Sequence, residues 1–533
     1  MGAPCLADNS RNLVEWALSG KYDAERPILI DASNPLRFIS RRKATELVTG
    51  LAAAFEKDTT VCLHISNDVL YPVLMLGILA SRCRWTGTNI SYTHHELAHH
   101  FRLSNTRYVI TSAEHLQTVE AAVAGLGFEV EIILFNDILG EQESQLPHPL
   151  TGGKGLRTFH DLLDSASDEQ SLQTHLRELS NDVIAVLQST SGTTGLPKMA
   201  ARTHHSMILE SQAIEDNNAA KPYEVRRLFC TPIFHAFSTQ EMAINPLRLG
   251  YPTYFMTRFD DTFAQRVYDF GITETAAPPP MILRLLQATD QHHLLQSLRL
   301  IFSGGAPLAP ELHHRMLGIF KVAPRIVQVW GMTEGGWFTT FKYPEVDTTG
   351  SVGRMLPGWE IRIDSDTLIA LPDGRSAGEL LVKSAQLMTG YLGNTEATEA
   401  TFTDGWLRTG DIGFVEDGKV YIVDRAKDLI KVNGWQVAPA EIEEALLQSP
   451  DVVDAAAISF GHGNDEHPMV FVVARDAGVE VQDIEAHLHS RLARYKVARI
   501  EVKLVELIPR NPSGKILRKV LRSLATESGQ VGH

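Results

Sequence analysis

Short runs rich in β-branched and aliphatic residues alternate with helical stretches along most of this chain, and that alternation restricts it to a layered α/β architecture. Residues 61–66, 108–111 and 130–135 read as strands, with the helical pattern of 114–125 set between two of them. The theme returns at 183–187, 228–231, 253–257 and 298–303, each run ending in a loop rich in Gly, Pro, Ser or Thr. Loops at the carboxyl ends of strands are where α/β sheets bind ligands. A chain of 533 residues exceeds one ordinary core, so a large, internally divided domain and at least one smaller one are expected. The sequence shows no fixed-period repeat and no low-complexity linker.

After about residue 345 the pattern changes to short alternating strands with Gly and Asp turns, at 359–364 and 378–383 and in a hairpin closed by Glu416-Asp417-Gly418-Lys419. This predicts a small β subdomain over about 346–424. Beyond residue 423, helix and strand patterns return at 439–447, 453–459, 469–474 and 481–497, followed by a basic terminal helix near 517–524. The expected division is therefore an N-terminal domain of layered α/β subdomains, 1–424, and a small C-terminal α+β domain, 425–533. One continuous domain is the alternative.

Composition narrows the partners. A formal net charge of -15 argues against a nucleic-acid or anionic-membrane binder, so any bound phosphate must be gripped locally. Cys5, Cys62, Cys83 and Cys230 are scattered without metal-ligand spacing, which fits free thiols in a reducing compartment. Residues 1–16 carry no secretory pattern, and Leu6 stands where myristoylation needs Ser or Thr. The longest apolar run, 69–80, is too short to span a bilayer and reads as a buried helix. No peroxisomal tripeptide closes the chain, so a cytoplasmic protein without a transmembrane segment is expected.

The run Ser189-Thr190-Ser191-Gly192-Thr193-Thr194-Gly195-Leu196-Pro197-Lys198 follows a β-like stretch and holds five hydroxyl side chains, two glycines and a closing lysine. Glycines let backbone N–H groups turn toward phosphate oxygens, hydroxyls donate, and the lysine adds charge. The spacing is not that of a Walker A loop. Alone, the run also fits a flexible Ser/Thr/Gly turn.

Further segments join it: Thr231-Pro232-Ile233-Phe234-His235, Ser303-Gly304-Gly305-Ala306-Pro307-Leu308, Trp330-Gly331-Met332-Thr333-Glu334, Trp406-Leu407-Arg408-Thr409-Gly410-Asp411, Val423-Asp424-Arg425-Ala426-Lys427-Asp428 and Asn511-Pro512-Ser513-Gly514-Lys515. In this order and over nearly its whole length, the chain resembles the acyl-adenylate-forming superfamily of acyl-CoA synthetases, peptide-synthetase adenylation domains and firefly luciferase. The segment 425–437 looks particularly like that of plant 4-coumarate-CoA ligases.

The resemblance implies a reaction in two halves. A carboxylate and ATP give acyl-AMP and pyrophosphate, and the thiol of CoA then displaces AMP. It implies ATP and CoA as reactants and Mg2+ as cofactor. Ser189, Thr190, Ser191, Gly192, Thr193, Thr194, Gly195 and Lys198 would hold phosphates, and Thr333 would join them. Gly304, Gly305, Ala306, Gly331 and Met332 would pass close to the base, with Trp330, where relatives usually carry tyrosine, as its stacking face. Glu334 would ligate the metal, Asp411 both ribose hydroxyls, and Arg425 would assist at the ribose. Lys515 would bridge carboxylate and α-phosphate in the transition state. Lys427 matches the hinge about which the small domain turns, exchanging Lys515 for the Gly434 loop, and Lys431 and Gln436 match nucleotide contacts. Each also has a bland reading. Thr333-Glu334 fits a helix start, Asp411 a self-capping turn, and Lys431, Gln436 and Lys515 a solvated face.

His235 would contact the substrate carboxylate or gate its tunnel, unless it is a buried, satisfied histidine. Phe234, Phe237, Trp330, Met332 and Trp337 suggest an aromatic-walled acid pocket, although such residues also build ordinary cores. The run Phe234-His235-Ala236-Phe237-Ser238 lacks the aspartate with which amino-acid-activating relatives hold an ammonium. An aryl, arylpropenoic or medium-chain acid is the expected substrate. Met199-Ala200 after Lys198, where many relatives have glycine, leans away from a coumarate-type acid. Alternatives to the CoA ligase are an enzyme loading a carrier-protein pantetheine, a luciferase-like oxygenase and a non-catalytic nucleotide sensor.

Overall fold

The computed structural model describes residues 12–139, 156–164, 169–190, 197–217, 221–371, 373–425, 428–432, 435–461, 466–492, 496–497, 499–511 and 514–528. Two large sheets form its N-terminal part. One runs in the order Gly390–Tyr391, Met199–Thr203, Ile184–Ser189, Arg84–Gly87, Thr60–His64, Thr106–Thr111, Glu131–Leu134, Arg157–Thr158, and is parallel from Ile184–Ser189 onward. The other runs Arg354–Met355, Gly336–Thr340, Arg325–Met332, Leu300–Gly304, Glu274–Ala276, Arg227–Phe229, Thr253–Phe255, Pro27–Asp31, Phe38–Ser40. It is parallel from Arg325–Met332 to Pro27–Asp31.

One hydrophobic cluster takes residues from both sheets, among them Val61, Leu63, Leu29, Phe229, Phe302 and Val329. The helix Tyr71–Ala80 belongs to it, and all ten of its residues are buried. Its apolar surface runs all round, the mark of a helix with protein on every side. A second cluster, including Leu228, Ile301, Leu285 and Leu312, covers the outer face of the longer sheet.

The antiparallel sheet expected in 346–424 forms from Glu360–Ile363, Ser376–Lys383, Trp406–Glu416 and Lys419–Arg425, with two short edge strands. Asp417 and Gly418 both take positive φ (52° and 72°), the conformation that lets an Asp-Gly pair close a tight hairpin. Two strands of the same stretch go elsewhere: Arg354–Met355 joins the nine-stranded sheet and Gly390–Tyr391 the eight-stranded one. The small C-terminal part packs the helices Pro439–Leu447 and Val481–Arg491 on the strands Val452–Phe460, His467–Ala474 and Glu501–Leu504, around cores of its own. The 481–497 run is helical only to Arg491, because Leu492 turns extended and Val497 drops into that core. Among the described residues no helix is long and apolar enough to cross a membrane.

Gly77 lets the central helix pack directly on Arg41–Leu51, since a Cβ there would overlap the Leu51 side chain. Gly77→Leu should therefore destabilise the fold by about 1–3 kcal/mol through overpacking. A denaturant-unfolding midpoint equal to that of the parent chain would contradict this packing.

Candidate active site

A cavity of about 770 Å³ opens beyond the carboxyl ends of Ile184–Ser189, Leu300–Gly304 and Arg325–Met332. Its lining brings together Thr190, Lys198, His235, Phe237, Gly305, Gly331, Met332, Thr333, Glu334, Trp337, Arg425 and Lys515, which stand far apart in the sequence. Ser189, Gly304, Ala306 and Asp411 flank it without being part of the lining. Ser191, Gly192, Thr193, Thr194, Gly195, Lys427 and Gly434 lie outside the described residues. Lys431 and Gln436 pair with each other across a two-stranded hairpin.

Asp411 stands opposite Arg425 in the hairpin register, and the Arg425 Nε lies 2.8 Å from its Oδ1. The Asp411 charge raises the Arg425 pKa despite burial. Trp330 donates its indole N–H to Asp411 Oδ2 at 2.8 Å and sits edge-on to Phe338. It is buried and is not among the residues lining the cavity. A buried indole needs an acceptor, and the nearby carboxylate supplies one.

Glu334 is only 6% exposed. Burial pushes its carboxyl pKa up, opposed first by the hydroxyl of Tyr391, which donates to Oε1 at 2.6 Å, and more weakly by Arg425 and Lys198. The Lys198 ammonium lies 4.8 Å from the centre of the Tyr391 ring. Sequence reasoning missed Tyr391, along with the ion-paired Arg408 and Glu379 that also line the cavity. The signal for Tyr391 was slight: a Gly-Tyr pair ahead of a helix start at Asn394.

At the other end, His235 caps the short helix Ala236–Thr239, its Nδ1 accepting the Phe237 N–H at 3.3 Å. Burial and the Lys515 charge lower its pKa to about 4. Lys515 arrives on a loop whose Gly514, at φ 86°, packs on the N-terminal part: a Cβ there would lie 2.8 Å from Pro280. Asn511 Oδ1 accepts the Lys515 backbone N–H at 2.8 Å and fixes the turn. Phe237 and Trp337 stack at 5.6 Å and 16°, and Trp337 donates its indole N–H to the Phe237 carbonyl at 3.0 Å. Behind this pair lies an apolar seam, lined by Phe229, Phe302 and Met242, without room for a water molecule. Phe234, expected in the acid pocket, lines instead a second cavity of about 410 Å³ with Arg258, Pro280 and Asn511.

The chain matches the family "AMP-binding enzyme" over residues 19–392 and the "AMP-binding enzyme C-terminal domain" over 441–515. It is 53% identical over 517 residues to the acyl-CoA ligase M9 of a Phoma species, covering 96% of this chain and 95% of that protein. It is 37% identical over 537 residues to a phenylacetyl-CoA ligase of Aspergillus niger, covering 97% of each. In fold it is similar to a benzoate CoA ligase from Burkholderia xenovorans, with a TM-score of 0.82 at 22% identity, covering 96% of this chain and 99% of that one.

The geometry makes His235 a neutral imidazole at physiological pH. An NMR titration should find its midpoint at about 4, moving up toward the ordinary 6.5 in Lys515→Ala as one lowering influence is removed. A midpoint near the ordinary value in the intact chain would contradict this account.

Proposed function

We propose that the acid activated by this chain, a member of the AMP-binding enzyme family within the acyl-adenylate-forming superfamily and an AMP-forming acyl-CoA synthetase, is a compact aryl acid. The enzyme uses ATP to activate a carboxylic acid and passes the acyl group to CoA. The observation that carries the aryl reading is the stacked Phe237–Trp337 pair closing the cavity beside His235 and Lys515. Flat, apolar walls of this kind favour a ring over a flexible chain. The phenylacetyl-CoA ligase among the relatives supports the same class.

In this reading the loop from Ser189 to Lys198 and Thr333 hold the ATP phosphates, and Asp411, steadied by Arg425 and Trp330, takes the ribose. The backbone of Gly304, Gly305, Ala306, Gly331 and Met332 passes along the base. Glu334 suits Mg2+: a single buried carboxylate, aimed at a polyphosphate site, matches an ion that keeps most of its coordination for water and phosphate. Bound there, the ion would offset phosphate charge. The imidazole of His235 accepts at Nδ1, so its proton sits at Nε2, where the N–H can donate a hydrogen bond to a carboxylate oxygen of the acid. The Lys515 ammonium stabilises charge as that carboxylate attacks the α-phosphorus and pyrophosphate leaves.

For the second half-reaction the small domain turns at Lys427, withdrawing Lys515 and bringing in Lys431, Gly434 and Gln436. The thiol enters by the second cavity, whose apolar wall of Pro278, Pro280 and Met281 fits a pantetheine arm and whose Arg258 fits its phosphates. The CoA thiolate then attacks the acyl carbonyl and AMP leaves. The reaction is placed in the cytoplasm, in keeping with the free buried thiols of Cys62, Cys83 and Cys230.

Pyrophosphate release should be measured with benzoate, phenylacetate, cinnamate and octanoate, with CoA and with a pantetheine-loaded carrier protein. Aryl acids should exceed octanoate in kcat/KM by about tenfold or more. Trp337→Ala should narrow that gap by opening the seam behind it. Octanoate as the best substrate of the parent chain would overturn the aryl reading. Arg258→Ala should raise KM for CoA about tenfold and leave KM for the acid unchanged.

A further inference from the structure

Tyr391 sits between two groups that the proposed reaction needs at the same moment. Its hydroxyl donates to Glu334 Oε1 at 2.6 Å, and its ring carries the Lys198 ammonium 4.8 Å from its centre. Neither contact is a chance meeting of surface side chains. Gly390–Tyr391 pairs antiparallel with Met199–Thr203, the strand that begins directly after Lys198, with Tyr391 opposite Ala200. The Tyr391 N–H donates to Thr398 Oγ1 at 2.9 Å, and Gly390 is required there because a Cβ would lie 2.8 Å from the Thr398 methyl. Three residues earlier, the Met388 N–H donates to the Glu334 carbonyl at 2.7 Å. The segment 388–391 therefore clips the turn bearing Glu334 to the strand that follows Lys198.

We propose that Tyr391 is a positioning residue for the phosphate end of the site: its hydroxyl orients the Glu334 carboxylate toward the cation carried by ATP, and its ring holds Lys198 in place until phosphate arrives. A hydroxyl bound to one carboxylate oxygen fixes the plane of the whole group, which a buried glutamate with rotatable bonds otherwise lacks. An aromatic face attracts an ammonium less strongly than a phosphate does, so it can hold the lysine without retaining it. The proposal rests on the reading of Glu334 as metal ligand and Lys198 as phosphate ligand.

Two substitutions separate the two contacts. Tyr391→Phe keeps the ring and removes the hydroxyl, and Tyr391→Leu removes both. Mn2+ binding to the enzyme with ATP and no acid, followed by electron paramagnetic resonance, should weaken about tenfold in Tyr391→Phe. The half-saturating Mg2+ concentration for pyrophosphate release should rise in parallel. At saturating Mg2+ the Phe variant should keep the parent KM for ATP, whereas the Leu variant should not. Glu334→Gln serves as the reference. If it weakens Mn2+ binding and Tyr391→Phe does not, the positioning role is wrong and the metal reading stands. If Glu334→Gln leaves Mn2+ binding unchanged, both are wrong. A loss of kcat in Tyr391→Phe with unchanged Mn2+ affinity would mark a merely structural tyrosine and overturn the proposal.

Discussion

Glu210 is the carboxylate on which the two large sheets close. It is almost wholly buried and pairs with Arg202, equally buried, at 2.8 Å. Gln240 donates to the same oxygen at 2.9 Å, and the backbone N–H of Trp337 donates to the other at 3.0 Å. Arg202 belongs to the eight-stranded sheet and Trp337 to the nine-stranded one, so one side chain holds both in register. Gly336 has to be glycine because a Cβ would occupy the place of the carboxylate. Arg202 reaches on to the Gln386 carbonyl at 3.1 Å, and the Gln386 side chain accepts from Trp359, which draws in the antiparallel sheet as well. A buried pair of this kind is a weak source of net stability, yet removing one partner costs about 3–5 kcal/mol. Its contribution here is geometric: the stacked floor of the acid cavity starts one residue from Gly336.

From that junction the cavity receives groups from every layer. Lys198 comes from the loop entering one sheet, Glu334 and Trp337 from the turn and strand edging the other, Arg425 from the antiparallel sheet and Lys515 from the small domain. The chain is acidic overall at -15, and the site offsets this locally with Lys198, Arg408, Arg425 and Lys515 around one opening. Any polyanion admitted here would meet placed charges, not the field of the whole molecule. Lys515 is the most conditional of them, since its loop meets the N-terminal part through Gly514 against Pro278 and Pro280.

What sequence made legible follows the range of the interactions involved. The apolar 69–80 run read as a buried helix and Asp417-Gly418 as a tight hairpin, because both depend on near neighbours. Most parallel strands were located within a few residues, since each is short, aliphatic and bounded by turn residues. The departures come from distant partners. Trp330 finds Asp411 across 81 residues, a hydrogen bond that neither residue's neighbours announce. Tyr391 meets Glu334 across 57 residues and Trp337 meets Glu210 across 127; Tyr391 carries only a slight local signal and Glu210 none. Phe234 and Phe237 were expected in one pocket, but His235 caps a helix start between them and their side chains line different cavities. Motif order was enough to point to the reaction, while the contacts among the site residues required the packing.

The central claim is that this cavity joins an acid carboxylate to the α-phosphorus of ATP. An aryl acid labelled with oxygen-18 in its carboxylate, turned over with ATP and CoA, tests that bond directly by mass spectrometry of the products. One labelled oxygen in the phosphate of AMP, none in pyrophosphate, is the predicted result. Label released in inorganic phosphate, with an unlabelled nucleotide, would mean attack at the terminal phosphate and would contradict the account.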